Sequence, residues 1–320
     1  MLKSIVGAAL VSAALALPAM AQDNFPVTLE HAFGQTEIAA APERIVTIGW
    51  MTQDAVIALG ETPIAIPYQG WGGNEEGYVP WVVEALEARG EALPELINTD
   101  QDIPFEQILS LDPDVILAPY SDLDQTKYDR LSAIAPTVGY VDGPWSGSWQ
   151  YVVETVGKAL GKSDAAEDLI AQTEATLASY KQTYPQIEGQ TFIFGGGGIV
   201  DGNTVDIYMP TDPRVQLLAD IGLVPSPSLD TIETESFYQS VSVEEIGTLK
   251  ADVYVSWFNS QDELDDALAN PLFARWEPVA QSRLVPMIDT SQSLALSAPS
   301  PLSLPWVMDR FVPELAQTLQ

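Results

Sequence analysis

Few residues in this 320-residue chain could carry bond-breaking chemistry. There is one histidine, His31, and no cysteine. A Ser-His-Asp triad would have to be built on His31, in a segment that reads as an edge strand. A bare-metal site would want several imidazole or thiolate ligands, which this composition does not supply. The 11 tyrosines and 45 acids keep a tyrosine–carboxylate iron site arithmetically open, but no spacing clusters them. A secreted carboxylate-based hydrolase would need two cleft carboxylates about 5–10 Å apart, and among so many acids no pair stands out. Gly195-Gly196-Gly197-Gly198 follows a strand pattern but lacks the Gly-Lys-Ser/Thr ending of a nucleotide loop. Gly161-Lys162-Ser163 has that ending without the earlier glycine or the leading strand. The glycine run is read as a flexible loop at a cleft edge. Binding, not catalysis, is expected, with no cofactor and no resident metal.

The aromatic residues carry more information. Trp50, Tyr68, Trp71, Tyr120, Trp145, Trp149, Tyr208 and Trp257 fall at strand ends or in loops, off the periodic core faces. Ligands of α/β sheets sit beyond the carboxyl ends of the strands. Trp50 follows Arg44–Gly49, Tyr120 follows Val115–Pro119 and Trp257 follows Val253–Ser256. Each alone could simply cap its own core; together they suggest one aromatic-lined cleft. The expected ligand-binding set is Trp50, Tyr68, Trp71, Tyr120, Trp145, Tyr208, Arg214 and Trp257. Arg214 is the candidate donor to anionic ligand oxygens, because its planar fork presents several N–H groups. An ion pair with Asp212 or Asp220 is its alternative role.

Strands and helices must hold these residues in place. Arg44–Ile48, a helix carrying Ala55–Leu59, and Pro63–Ile66 read as strand, helix and strand. Residues 68–81 read as a loop, and Pro136–Tyr140 as a strand. The pattern repeats in the second half, with a strand at Thr191–Phe194, a helix at Val215–Ile221, a late strand at Leu284–Ile288 and a C-terminal helix at Trp306–Gln317. Such alternation argues for parallel sheets. Ser163–Tyr184 has a strong helical pattern, a capping-box-like start at Asp164 and Glu167, and Pro185 after its end. At roughly 30 Å it could bridge two bodies.

An internal echo supports two bodies. Glu106, Ile108, Leu111, Asp114 and Val115 recur as Glu244, Ile246, Leu249, Asp252 and Val253, each 138 residues later. Each copy reads as a short amphipathic helix opened by its Glu, then an Asp, then a buried strand. Two copies at so long a spacing are not a solenoid. The expected architecture is α/β: two parallel-sheet lobes, 22–162 and 185–320, joined by one long interdomain helix at 163–184, with the ligand cleft between the lobes.

Lys3, the apolar run Ile5–Leu17 and Ala19-Met20-Ala21 read as a cleaved signal peptide over 1–21. No lipid anchor on Cys is expected, and the mature chain is expected to be a soluble monomer in the periplasm. The net charge is −32. Removing Lys3 leaves 12 basic residues and a charge of −33. That field disfavours nucleic acid and anionic membranes and favours a ligand of neutral or positive charge.

The chain resembles the periplasmic substrate-binding proteins of iron–siderophore ABC importers, within the wider group that also carries vitamin B12 and haem. The resemblance rests on His31-Ala32-Phe33-Gly34, Pro42–Thr47, Gly49–Ala55 and Ala58-Leu59-Gly60 in the first half. It continues through Tyr128–Leu131, Ile134–Thr137, Gly157-x-Ala159-Leu160-Gly161, Asp212-Pro213-Arg214, Leu217-Leu218 and Ile221-Gly222, together with both copies of the repeat. It covers nearly all of the mature chain. It implies capture of a ferric siderophore, hydroxamate or mixed type favoured, and delivery to an ABC permease dimer, with little hinge motion. Haem or a corrinoid is the alternative within the group. It also implies that one glutamate per lobe, Glu106 and Glu244, docks onto permease arginines. Hydroxamate binders often carry an arginine shortly before the first of these; Asn98–Asp102 has none.

Overall fold

The computed structural model describes residues 25–320 apart from Asp100, Asp201 and Glu235; the expected signal peptide lies outside them. The first half opens with an antiparallel hairpin, β1 (Val27–His31) and β2 (Gly34–Ile38). There follow β3 (Ile45–Thr47), α1 (Thr52–Ala58), β4 (Ala65–Pro67), α2 (Pro80–Arg89), β5 (Glu95–Ile97) and α3 (Phe105–Ser110). Then come β6 (Val115–Leu117), α4 (Gln125–Ser132), β7 (Thr137–Val138) and α5 (Trp149–Ala159). The sheet is parallel throughout, in the order β5-β4-β3-β6-β7. The winding reverses between β3 and β6, so the crevice at their carboxyl ends is the place for a ligand.

Helix α6 (Ser163–Thr183) leads to the second half: β8 (Thr191–Val200), β9 (Thr204–Tyr208), α7 (Pro213–Asp220), β10 (Val224–Pro225), β11 (Tyr238–Ser242) and β12 (Val253–Trp257). It ends with α8 (Gln261–Ala269), α9 (Glu277–Ala280), β13 (Leu284–Met287), α10 (Thr290–Ser297) and α11 (Ser303–Thr318). Strands β10, β8, β12 and β13 run parallel; β9 turns back antiparallel on β8, and β11 adds antiparallel to β9 at the edge. The expected glycine loop is not a loop. Gly195–Gly198 lie within β8: β9 pairs with Gly195 and Gly196, and Gly197 and Gly198 form an irregularity before the ladder resumes at Val200. Helix α6 begins without the expected capping box, since the residue before it, Lys162, provides no side-chain cap.

The uninterrupted apolar strands follow from burial on both faces. Val115 and Leu117 enter one cluster while Ile116 and Ala118 enter another; Phe192 and Phe194 likewise part from Ile193. The inner faces of both sheets share a single cluster, continued through α5, α6 and α11. Gly157 of α5 lets α6 approach closely, as a Cβ there would lie 2.4 Å from the Cβ of Ala166.

The repeat has a structural basis. Asp114, before β6, accepts from the backbone N–H groups of Glu43 and Arg44 at the entry to β3. Asp252, before β12, accepts from the N–H and hydroxyl of Thr191 at the entry to β8, which holds its carboxyl below the usual range. In both halves the same Asp ties two neighbouring parallel strands together. The second copy departs from expectation ahead of that Asp. Glu106 is the second residue of α3, but Glu244 sits in a turn before a single 3-10 turn at Ile246–Thr248, so it opens no α-helix.

One polar contact crosses between the halves inside the core. Oδ2 of Asp54 on α1 accepts from Trp81 Nε1 of α2 at 2.7 Å and from Ser300 Oγ, ahead of α11, at 2.6 Å. Oδ1 of Asp54 and Oε1 of Gln53 are buried and accept nothing among the described residues. Burial pushes the Asp54 carboxyl up to about 6, against the pull of its Ser300 and Trp81 hydrogen bonds. A raised folded-state value means that stability from protonation is full below about pH 3.8, the unfolded value, and is lost as pH rises through about 6. Asp54→Asn keeps an acceptor for Trp81 and Ser300 and removes the buried charge. The variant should exceed wild type in stability by about 2–3 kcal/mol at pH 7.5, with the gap closing toward pH 4. Calorimetry across this range checks it, and a gap independent of pH would contradict the argument.

Candidate functional site

Gly49, Trp50 and Met51 form the turn from β3 to α1, pinned against the chain leaving β6. Trp50 N–H donates to the Tyr120 carbonyl at 3.0 Å. Gly49 has φ +87°, and a Cβ there would lie 2.0 Å from that carbonyl oxygen, so only glycine fits. Met51 also has positive φ, at 63°. The two strand ends at the switch point are thus locked together with both aromatic rings on the cleft side. Trp145 leans over them, its ring centroid 5.5 Å from Trp50 and 5.6 Å from Tyr120. Its φ of 54° is strained for a tryptophan; a hydrogen bond from its N–H to the Ser121 carbonyl helps to hold it.

The second half supplies the opposite wall. Trp257 ends β12 and donates from Nε1 to Tyr208 Oη at 3.2 Å. Arg214, in the first turn of α7, lies over the Tyr208 ring, 3.7 Å from its centroid. Its Nε and Nη2 donate to Asp212 at 2.8 and 2.7 Å. Asp212 is almost fully buried and also caps α7 through the Arg214 N–H. Burial works against the Arg214 charge, but the Asp212 hydrogen bond and the neighbouring Tyr208 outweigh it and raise its pKa. Burial pushes the Tyr120 phenol up, with Arg214 pulling it down and Asp212 pushing it further. Tyr120 is therefore a neutral O–H donor at ordinary pH.

These residues enclose a chamber of about 630 Å³ lined by Trp50, Trp71, Tyr120, Trp145, Arg214 and Trp257, with Asp212, Pro213, Phe237 and Ser297. A second cavity of about 610 Å³ shares Tyr120, Trp145, Pro213 and Ser297 and continues toward Trp149, Gln150 and Gln216. Trp71 meets Trp257 edge-on at 5.9 Å and donates to Asn259 Oδ1 at 3.4 Å, closing one side across the halves. Volume and lining suit a medium-sized ligand with apolar arms.

Six of the eight expected residues share this chamber. Tyr208 stands behind its wall, as the ring under Arg214 and the acceptor for Trp257. Tyr68 does not line it: its ring packs on Gly77, and its N–H bonds the Ile97 carbonyl, so it belongs to the sheet edge. The alternative expected for Arg214 holds in part, since Asp212, not Asp220, takes two of its donors. Phe237 and Asn259 were not foreseen from sequence. Phe237 is 52% exposed and stands in a stretch without periodicity; Asn259 is one of many polar loop residues. Among the described residues no group of three His, Cys, Asp or Glu could hold a metal ion. His31 is tied to Thr36 at 2.9 Å in the hairpin.

Comparison with known proteins agrees with this geometry. Residues 45–287 match the family described as periplasmic binding protein. The crystal structure of Streptococcus pneumoniae TIGR4 PiaA in complex with ferrichrome is similar at a TM-score of 0.80 and 30% identity, covering 92% of this chain and 98% of that one. A periplasmic solute binding protein from Mycobacterium smegmatis matches at a TM-score of 0.79 and 31% identity, over 92% and 99%. The Fe(3+)-citrate-binding protein YfmC of Bacillus subtilis is 22% identical over 256 residues, 78% of this chain and 75% of its own length. With its two sheets, its cleft at the strand ends and these likenesses, the chain belongs to the periplasmic binding protein family.

Proposed function

We propose that this protein captures a ferric siderophore and hands it to the permease dimer of an ABC importer, acting as a monomer without catalysing a reaction. The aromatic chamber between the halves carries this reading. Trp50, Trp71, Trp145 and Trp257 offer ring faces to apolar ligand arms, and Tyr120 offers a neutral O–H to its polar rim. Asp212 and Arg214 are the charged residues that line it, and they cancel. An iron(III) ion held by three monoanionic hydroxamates is neutral and fits such a site. A triply charged tris-catecholate would enter an apolar space with no unmatched cation, at a large desolvation cost. Relatives that bind ferrichrome and Fe(3+)-citrate support the ligand class. The working division is a lobe at 22–162, a linker helix at 163–184 and a lobe at 185–320. The work is done in the periplasm after removal of 1–21; no helix of the described residues is long and apolar enough to cross a membrane.

Permease docking falls to Glu106 and Glu244. Both are exposed, and neither carboxylate makes a hydrogen bond or ion pair among the described residues. Their equivalence in the repeat supports matching roles on the two lobes. Permease arginines would meet them through charge-assisted hydrogen bonds that set register.

Tryptophan fluorescence should report tight binding of a ferric trihydroxamate, about tenfold or more stronger than that of a ferric tris-catecholate; the reverse order would overturn the electrostatic part of this reading. Arg214→Ala should weaken binding by about 1.5–3 kcal/mol. It should also cost about 3 kcal/mol of stability, because Asp212 is left buried without its counter-charge. Adding Asp212→Asn should recover stability but not affinity, which calorimetry and titration separate. Glu106→Gln and Glu244→Gln should leave affinity unchanged while impairing uptake in cells; normal uptake by the double variant rules out the docking role.

A further inference from the structure

The run Gly195–Gly198 divides into two pairs with different reasons for lacking side chains. Gly197 and Gly198 have φ of +76° and +62°. They form the irregularity in the β8–β9 ladder between Gly196 and Val200, so their backbone conformation asks for glycine. Gly195 and Gly196 do not adopt positive φ, and their backbone would accept alanine. What excludes alanine at Gly196 is a ring. Its Cβ would lie 2.2 Å from Nε1, 2.4 Å from Cε2 and 2.9 Å from Cζ2 of Trp257. The Trp257 indole therefore occupies the space that a side chain on this stretch of β8 would fill. From that seat it reaches Tyr208 Oη at 3.2 Å on one side and Trp71 across the cleft on the other. At Gly195 the obstacle is Tyr254 Oη, 2.2 Å away on the other face of the sheet, together with the Asp206 carbonyl. Gly195 thus serves the core and Gly196 the chamber.

We infer that Gly196 is a positioning residue of the ligand site: its missing side chain seats Trp257 against β8 and so sets the width of the aromatic chamber. A methyl group there would drive the indole off the strand, into the chamber and toward Trp71, and break its bond to Tyr208. The strand backbone cannot yield easily, because β12 and β9 pair with it on both sides. Gly in a strand often marks such a close approach. The effect on ligand rests on the chamber being the siderophore site; the seating of Trp257 does not.

The test has two arms. In the first, the indole N–H resonance of Trp257 is assigned with Trp257→Phe, and its bond to Tyr208 is read with Tyr208→Phe. Gly196→Ala should move this resonance as Tyr208→Phe does, without ligand present. An unmoved resonance overturns the seating. In the second arm, ferrichrome affinity is measured in wild type and in Trp257→Ala, each with and without Gly196→Ala. Gly196→Ala should weaken binding about tenfold or more in wild type, and less than about twofold when Trp257 is already alanine, since coupled residues lose additivity. Equal losses in both backgrounds would show that Gly196 acts on the strand as a whole and would sink the proposal. If no ferric complex binds the wild-type protein, the siderophore reading fails, while the first arm still decides the seating.

Discussion

The inner faces of the two sheets are not separate cores. Val115 and Leu117 from one sheet and Phe192, Phe194, Val253 and Val255 from the other belong to one apolar cluster bridged by α5, α6 and α11. Opening the halves widely would expose part of this cluster to water at about 25 cal/mol per Å², which soon exceeds the stability of an ordinary protein. The cleft can therefore change shape only by small adjustments. That constraint fits a chamber whose rings are fixed by backbone devices. Glycine at 49, strain at Met51 and Trp145, and the bare strand at Gly196 all hold aromatic faces where the rigid frame needs them.

The Asp54 contact belongs to the same frame. A hydrophobic residue at that position could also hold the halves together, and for isolated buried charges it is often the more stable choice. The carboxylate adds direction: one oxygen joins α1, α2 and the start of α11 in a single geometry. Around it Trp81 and Trp306 pack at 5.4 Å, and Trp306 Nε1 donates to Glu84. The cost is a second oxygen buried without a partner among the described residues, in a carboxyl whose pKa burial raises to about 6.

Much of this architecture could be read from the chain, for physical reasons that differ by element. Strands buried on both faces are apolar without interruption, so β3, β6, β8 and β12 announced themselves. Helix α6 showed because its length and period are long and regular. The repeat showed because an Asp that ties adjacent strands must precede each strand by one residue, in both halves. The antiparallel strands β9 and β11 did not show, since their pairing partners are chosen by tertiary contact, and glycine in a strand mimics a loop. Among site residues, those following a buried strand were legible because topology brings strand ends to one crevice. Tyr68 also follows a strand, but β4 lies one place away from the switch point, and its ring turns to the sheet edge. Phe237 comes from a connection with no periodicity to place it.

The electrostatics carry a similar lesson about scale. The chain's large negative charge suggests a preference for neutral or cationic ligands, but charges spread over a surface are screened beyond about 8–10 Å at ordinary ionic strength. Inside the chamber the nearest charges decide, and these are Asp212 and Arg214, matched in sign and bonded twice. The pair is rigid, caps α7, and lies over Tyr208, so it cannot reorganise cheaply for an anion. The same inference about ligand charge thus arises from two independent sources, and the local one is the stronger. It does not weaken with salt, and it depends on two residues whose geometry is fixed by the start of one helix.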